Sequence, residues 1–144
     1  MNTYNSDLAR AKALLHDNDY TFAAVCGDKT VFSFERGVKP LLKLLDNSDN
    51  LCGYSAADKV IGKGAAFLYL LLGVCNVYAD VISEPALDVL QGGITVEYSA
   101  KVEHIINRKG DGICPIEQAV ADIANAKSAL PVIRQTLKNL ASKQ

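Results

Sequence analysis

The stretch from Ala57 to Val74, A-D-K-V-I-G-K-G-A-A-F-L-Y-L-L-L-G-V, sets the tightest limit on what this chain can fold into. Its first part is charged and punctuated by Gly62 and Gly64, and its second part is apolar without a break from Ala65 to Leu72. A segment that is apolar on every side is stable only when other elements surround it. The stretch therefore reads as a buried central helix with a polar mouth.

The rest of the chain can supply those surroundings. A length of 144 residues with 49% hydrophobic and 22% charged content fits one globular domain spanning 1–144. The formal net charge of -1 gives no field that would draw a nucleic-acid backbone or an anionic membrane. The longest apolar run is too short to span a bilayer, and the N-terminus, M-N-T-Y-N-S-D, lacks the basic start and apolar core of a signal segment. A cytoplasmic domain with no membrane and no nucleic-acid partner is expected. Cys26, Cys52, Cys75 and Cys114 are widely spaced, without a C-x-x-C pair, and should be reduced thiols. His16 and His104 lack the paired spacing of zinc ligands, so neither a metal nor another cofactor is expected.

Along the chain, Ser6 or Asp7 can cap a first helix to Asp17, with Leu8, Ala11, Leu14 and Leu15 on one face. Thr21 to Cys26 and Thr30 to Phe34 read as strands joined by a tight Gly27-Asp28-Lys29 turn. A short helix from Val38 to Asp46 and a loop from Asn47 to Tyr54 lead into the central helix. Cys75 to Ile82 is a strand, Ser83-Glu84-Pro85 starts a helix to Leu90, and Gly92-Gly93 stop it. Ile94 to Tyr98 and Val102 to Ile106 are two extended stretches, followed by a turn at Lys109-Gly110-Asp111-Gly112. Cys114-Pro115-Ile116-Glu117 opens a last helical region that Pro131 should break or kink before Ile133, Leu137 and Leu140 carry it on. This order predicts an α/β fold, a three-layer α/β/α sandwich with a mixed sheet.

Gly62-Lys63-Gly64 at a helix entrance suggests a phosphate loop, yet the Walker pattern fails at Ala57 and at Gly64. If the helix already begins near Asp58, Lys59 and Lys63, four apart, share a helical face, where paired ammonium groups attract an anion or lower one pKa. The plainer reading leaves both lysines solvated and gives the glycines a packing role. Cys114, at a helix start before Pro115, is the best placed thiol for activation by the helix dipole, which Glu117 opposes. Its plainer reading is a proline-initiated helix start with Glu117 bonding back to the local backbone. Arg108, with Asn107 and Asp111, lies in the turn before it and offers a guanidinium to a carboxylate or phosphate. His104 between Val102 and Ile106 reads as packed or half-buried, and His16 as a complement to a helix C-terminus.

The element order, with D-K-V-I-G-K-G-A-A, I-S-E-P-A-L-D-V-L and N-R-K-G-D-G-I-C-P-I-E, resembles a zinc-less branch of the cytidine-deaminase-like superfamily. Deaminases of that superfamily carry His-Ala-Glu or Cys-Ala-Glu at the start of the central helix and Pro-Cys-x-x-Cys at the next. Here Gly62-Lys63-Gly64 and Ser83-Glu84-Pro85-Ala86-Leu87-Asp88 stand instead, with no cysteine. The resemblance thus implies a fold that keeps a pocket without the metal-activated hydroxide that hydrolytic deamination needs. It places Lys63 in the neighbourhood of the lost centre, with Glu84 facing it.

Together these readings predict a small anionic or nucleotide-like ligand at the helix mouth. Asp58, Lys63 and Cys114 are the candidates for chemistry, and Lys59, Gly62, Gly64, Glu84, Arg108 and Glu117 for binding. The competing expectation is a non-catalytic regulatory or scaffold domain with a vestigial pocket, self-associating through its C-terminal helices as a homo-oligomer.

Overall fold

The computed structural model describes residues 3–142, which form a mixed α/β fold around an open five-stranded sheet. In chain order the elements are α1 (Thr3–Asp17), β1 (Phe22–Cys26), β2 (Lys29–Ser33), α2 (Lys39–Asp46), β3 (Ser55–Ile61), α3 (Lys63–Leu72), β4 (Asn76–Ser83), α4 (Glu84–Leu90), β5 (Thr95–Val102), α5 (Pro115–Ala119) and α6 (Ala126–Ser142). The strands lie in the order β2-β1-β3-β4-β5. β1 runs antiparallel to both of its neighbours, while β3, β4 and β5 are parallel.

The element that the sequence hides is β3. Ala57 to Ile61, expected in the central helix, belong instead to the middle strand, Ser55–Ile61, which pairs with Phe22 to Val25 on one side and Asn76 to Ile82 on the other. Ala, Asp and Lys have little preference for strands, so local propensity points the wrong way. Small size decides the matter here. Ala56 and Ala57 are fully buried on opposite faces of the sheet, letting helices close on both sides. α1 packs Leu8, Ala11 and Leu15 against Val25, Ala57 and Tyr78 on one face. On the other face α3 is buried along nearly its whole length, with Phe67, Leu68, Tyr69 and Leu72 in the larger core.

Several expected boundaries also move. α1 is helical from Thr3, and Asp7, proposed as its cap, is buried and accepts the Gly27 N–H instead. β5 is one continuous strand, and beyond it only Ile106 and Ile113 form an isolated antiparallel bridge among the described residues. Pro131 does not break the last helix. That helix begins at Ala126, where the Asn125 side chain accepts the Ser128 N–H at 2.9 Å, and it runs through the proline. Ala129 and Ile133 are buried and Leu137 packs on the core, so the α6 stripe is spent inside the domain. His104, expected to be packed, is exposed.

Gly64 shows how closely the helices approach. A Cβ there would lie 2.5 Å from Ile116 Cγ2 and 3.6 Å from Ile133 Cδ1. Gly64→Ala should therefore destabilise the fold by about 1–3 kcal/mol in urea unfolding, despite the better helix propensity of alanine. Pairing it with Ile116→Ala, which removes the clashing methyl, should give a double-mutant cycle in which the two costs do not add.

Candidate functional site

The mouth of α3 sits where the parallel strands end, the side on which open α/β sheets place their ligands. β3 passes through Gly62 into α3, and β4 passes directly into α4, whose Ser83 cap accepts the Ala86 N–H at 3.3 Å. Two helices thus begin at neighbouring strand ends. Their N-termini carry partial positive charge and N–H groups that need acceptors.

The acceptor comes from α5. Glu117 is only 3% exposed, and its carboxylate reaches the α3 mouth. Oε1 accepts the Lys63 N–H at 3.0 Å and also the Ser83 hydroxyl. Oε2 accepts the Ile105 N–H. One side chain therefore ties together the start of α3, the cap of α4, the segment after β5, and α5 itself. Gly62 makes room for this arrangement, since a Cβ there would stand 3.1 Å from Ile105 Cγ1 and 3.4 Å from Glu117 Oε1. Both glycines stand at close-packed positions, and the Lys63 N–H at the helix mouth meets a carboxylate of the protein itself.

The other sequence-derived candidates are distributed as follows. The Lys63 ammonium donates to the Ala121 carbonyl at 2.7 Å and lies over the Phe67 ring, 5.7 Å from its centre. Cys114 is the half-buried N-cap of α5, its N–H bonded to the Ile105 carbonyl and its thiol making no cap bond. Lys59 is exposed on β3, so it shares no helical face with Lys63. Glu84 is exposed and lies 4.0 Å from the Lys101 ammonium. Arg108 is exposed in the turn before α5. The structure therefore brings together Gly62, Lys63, Gly64 and Glu117, with Cys114 on the same segment as Glu117.

Asp58 belongs to a different place. It is buried at 8% exposure, and its Oδ2 accepts the Tyr69 hydroxyl at 2.7 Å while Oδ1 accepts the Val60 N–H at 3.3 Å. Tyr69 lies six residues after Lys63, about 9 Å farther along the axis of α3. Burial first, and then nearby Asp80, raise the Asp58 carboxyl against the lowering effect of its hydrogen bonds, to about 7. Tyr69 is pushed well above its ordinary value, first by burial and then by Asp58. Tyr69 and Ser83 are the site residues that motif reasoning passes over. A hydroxyl inside an otherwise apolar buried helix needs a partner, and that signal is present in the sequence.

Among the described residues, no three His, Cys, Asp or Glu side chains stand together as metal ligands, and no helix is long and apolar enough to cross a membrane. Away from the mouth, an open hollow of about 420 Å³ lies between the end of α1 and Phe34, lined by His16, Asp17, Asn18, Asp19 and Tyr20. His16 also bonds Asp80 of β4 at 2.7 Å.

The profile of a family described as a domain of unknown function, DUF1893, matches residues 10–137. A crystal structure of a DUF1893 family protein from Thermotoga maritima superposes with a TM-score of 0.81 at 29% identity, covering 93% of this chain and 90% of that one. No curated protein matches the sequence.

Proposed function

The chain belongs to the DUF1893 family, and on that footing we propose a non-catalytic interaction domain of cytidine-deaminase-like architecture that acts by associating with copies of itself. The observation that carries this reading is Glu117. Its carboxylate already meets the Lys63, Ser83 and Ile105 donors that an anionic ligand would use, and it is 3% exposed. A ligand at the mouth must first displace a buried, fully bonded group. The deaminase-like part is supported by the side-by-side starts of α3 and α4 at the ends of adjacent parallel strands. Association is supported by large apolar side chains left exposed at the β2 end of the sheet, Phe32 and Phe34. Sedimentation velocity over a wide concentration range tests the reading. Reversible self-association is the expected result, and a monomer at every concentration overturns it.

A second reading rests on Asp58, a buried carboxyl held near neutrality and bonded to Tyr69. A group that gains and loses a proton near pH 7 suits acid or base chemistry. In this reading the domain is a zinc-independent binder of a small anionic or nucleotide-like ligand, which takes the Lys63 N–H at the α3 mouth from Glu117, while Asp58 stands apart from the ligand as a separate proton-exchanging group. A saturable rise in melting temperature with inorganic phosphate or a nucleoside monophosphate, lost in Lys63→Ala, supports this second reading; no shift with either sinks it.

A further inference from the structure

We infer that two copies of the chain pair antiparallel through their β2 edges about a two-fold axis at Phe32, joining the two sheets into one; this rests on the self-association reading above. β2 ends the sheet, so β1 is its sole strand partner among the described residues. The Gly27-Asp28 turn, with Gly27 at a φ of +61° and the register Cys26↔Lys29, is a two-residue hairpin connection. Such a turn makes Cys26 and Lys29 the closing hydrogen-bonded pair. Alternation then turns the N–H and C=O of Lys29, Val31 and Ser33 toward β1, and those of Thr30 and Phe32 toward the open edge. The Ser33 carbonyl, which accepts the Thr21 N–H at 2.9 Å, agrees with this phase. A two-fold at Phe32 therefore sets each Phe32 in a hydrogen-bonded pair with its twin and Thr30 opposite the partner's Phe34.

The occupant is specified by charge. Residues 28–36 read D-K-T-V-F-S-F-E-R, a sequence complementary in charge to its own reverse. β2 itself ends at Ser33; if the pairing about Phe32 runs on through residues 34–36, it sets Asp28 of the turn opposite Arg36 and Lys29 opposite Glu35, and symmetry repeats each pair. Opposite charges directly across an antiparallel pair stabilise it, and like charges there destabilise it. The apolar part agrees. Tyr20 stacks on Phe32 at 4.3 Å and meets the edge of Phe34 at 5.1 Å, yet Phe32 remains 50% and Phe34 62% exposed. An unpaired edge bearing exposed aromatic rings is an aggregation template unless something covers it. The two-fold brings the two ring clusters together on one face. The turn is held in place for this, because Asp7 accepts the Gly27 N–H and Arg10 donates to the Gly27 carbonyl. On the opposite edge, β5, Glu97 is engaged by Lys12 and Lys101 lies near Glu84; on the β2 side Glu35 pairs with Lys43 and would take the partner copy's Lys29 as a second cation.

Sedimentation velocity or light scattering on the full chain tests the interface by charge exchange. Arg36→Asp sets like charges against Asp28 twice per dimer and should weaken association at least tenfold. Adding Asp28→Arg restores opposite charges and should return the dissociation constant to within about threefold of the parent, a rescue that misfolding cannot produce. Phe32→Asp should abolish the dimer, and Tyr98→Ser on β5 should leave it unchanged. A dimer that ignores the β2 variants, or that Tyr98→Ser breaks, overturns this interface while leaving self-association standing. A wild-type monomer at every concentration overturns both.

Discussion

Glu117→Ala should cost the fold about 3–5 kcal/mol, far more than its place on a five-residue helix suggests. The substitution removes the acceptor for the Lys63 N–H, the Ser83 hydroxyl and the Ile105 N–H at once. Each buried donor left without a partner forfeits about 1–3 kcal/mol. The loss of a carboxylate at the α3 N-terminus adds to that. In a chain of 144 residues this corresponds to a melting temperature lower by roughly 10 °C or more. Glu117→Gln keeps the shape but points an amide donor at one of the existing donors, so its cost should be intermediate. Urea unfolding of the three proteins measures this ordering. A loss below about 1 kcal/mol for the alanine variant would mean that the carboxylate does not hold these elements together.

The second large effect is a pH dependence. The Asp58 carboxyl is raised by burial from 3.8 to about 7, so between these values the folded chain keeps a proton that the unfolded chain has released. The linkage sign follows from that. The contribution is fully present below pH 3.8, declines as the pH rises, and is lost once the pH passes about 7. The slope within the window is about 1.4 kcal/mol per pH unit. Asp58→Asn retains an acceptor for the Tyr69 hydroxyl but cannot ionise. Between pH 5 and pH 8 the variant should therefore gain about 3 kcal/mol on the wild type, measured as the difference in unfolding free energy. Parallel stability curves for the two proteins would show that Asp58 titrates alike in both states.

Much of the architecture is legible because it is written locally. The Gly27-Asp28 turn, the Asn47 to Tyr54 loop, the Ser83 cap and the Gly62-Lys63-Gly64 entrance each act through backbone geometry or a side chain close by, and each falls where the residues indicate. What stays hidden depends on partners far along the chain. β3 is a strand because alanines fit between two helix layers, a property of the assembled core that Ala56 and Ala57 do not announce. Glu117 stands at the third position of a helix after Pro115, where a local capping bond is the natural inference. Its actual donors are 12, 34 and 54 residues away. Pro131 misleads for a different reason, since the helix start is set well upstream of it by the Asn125 cap and the proline is carried inside the helix.

The account turns on whether the α3 mouth is closed by the protein itself, and amide hydrogen exchange read residue by residue tests that most directly. In the wild type, the Lys63 and Ile105 amides should exchange only through large-scale unfolding, and Glu117→Gln should speed both while leaving the α1 amides of Ala11 and Leu15 unchanged relative to global stability. Rapid exchange of Lys63 and Ile105 in the wild type, indifferent to the substitution, would contradict the closed mouth.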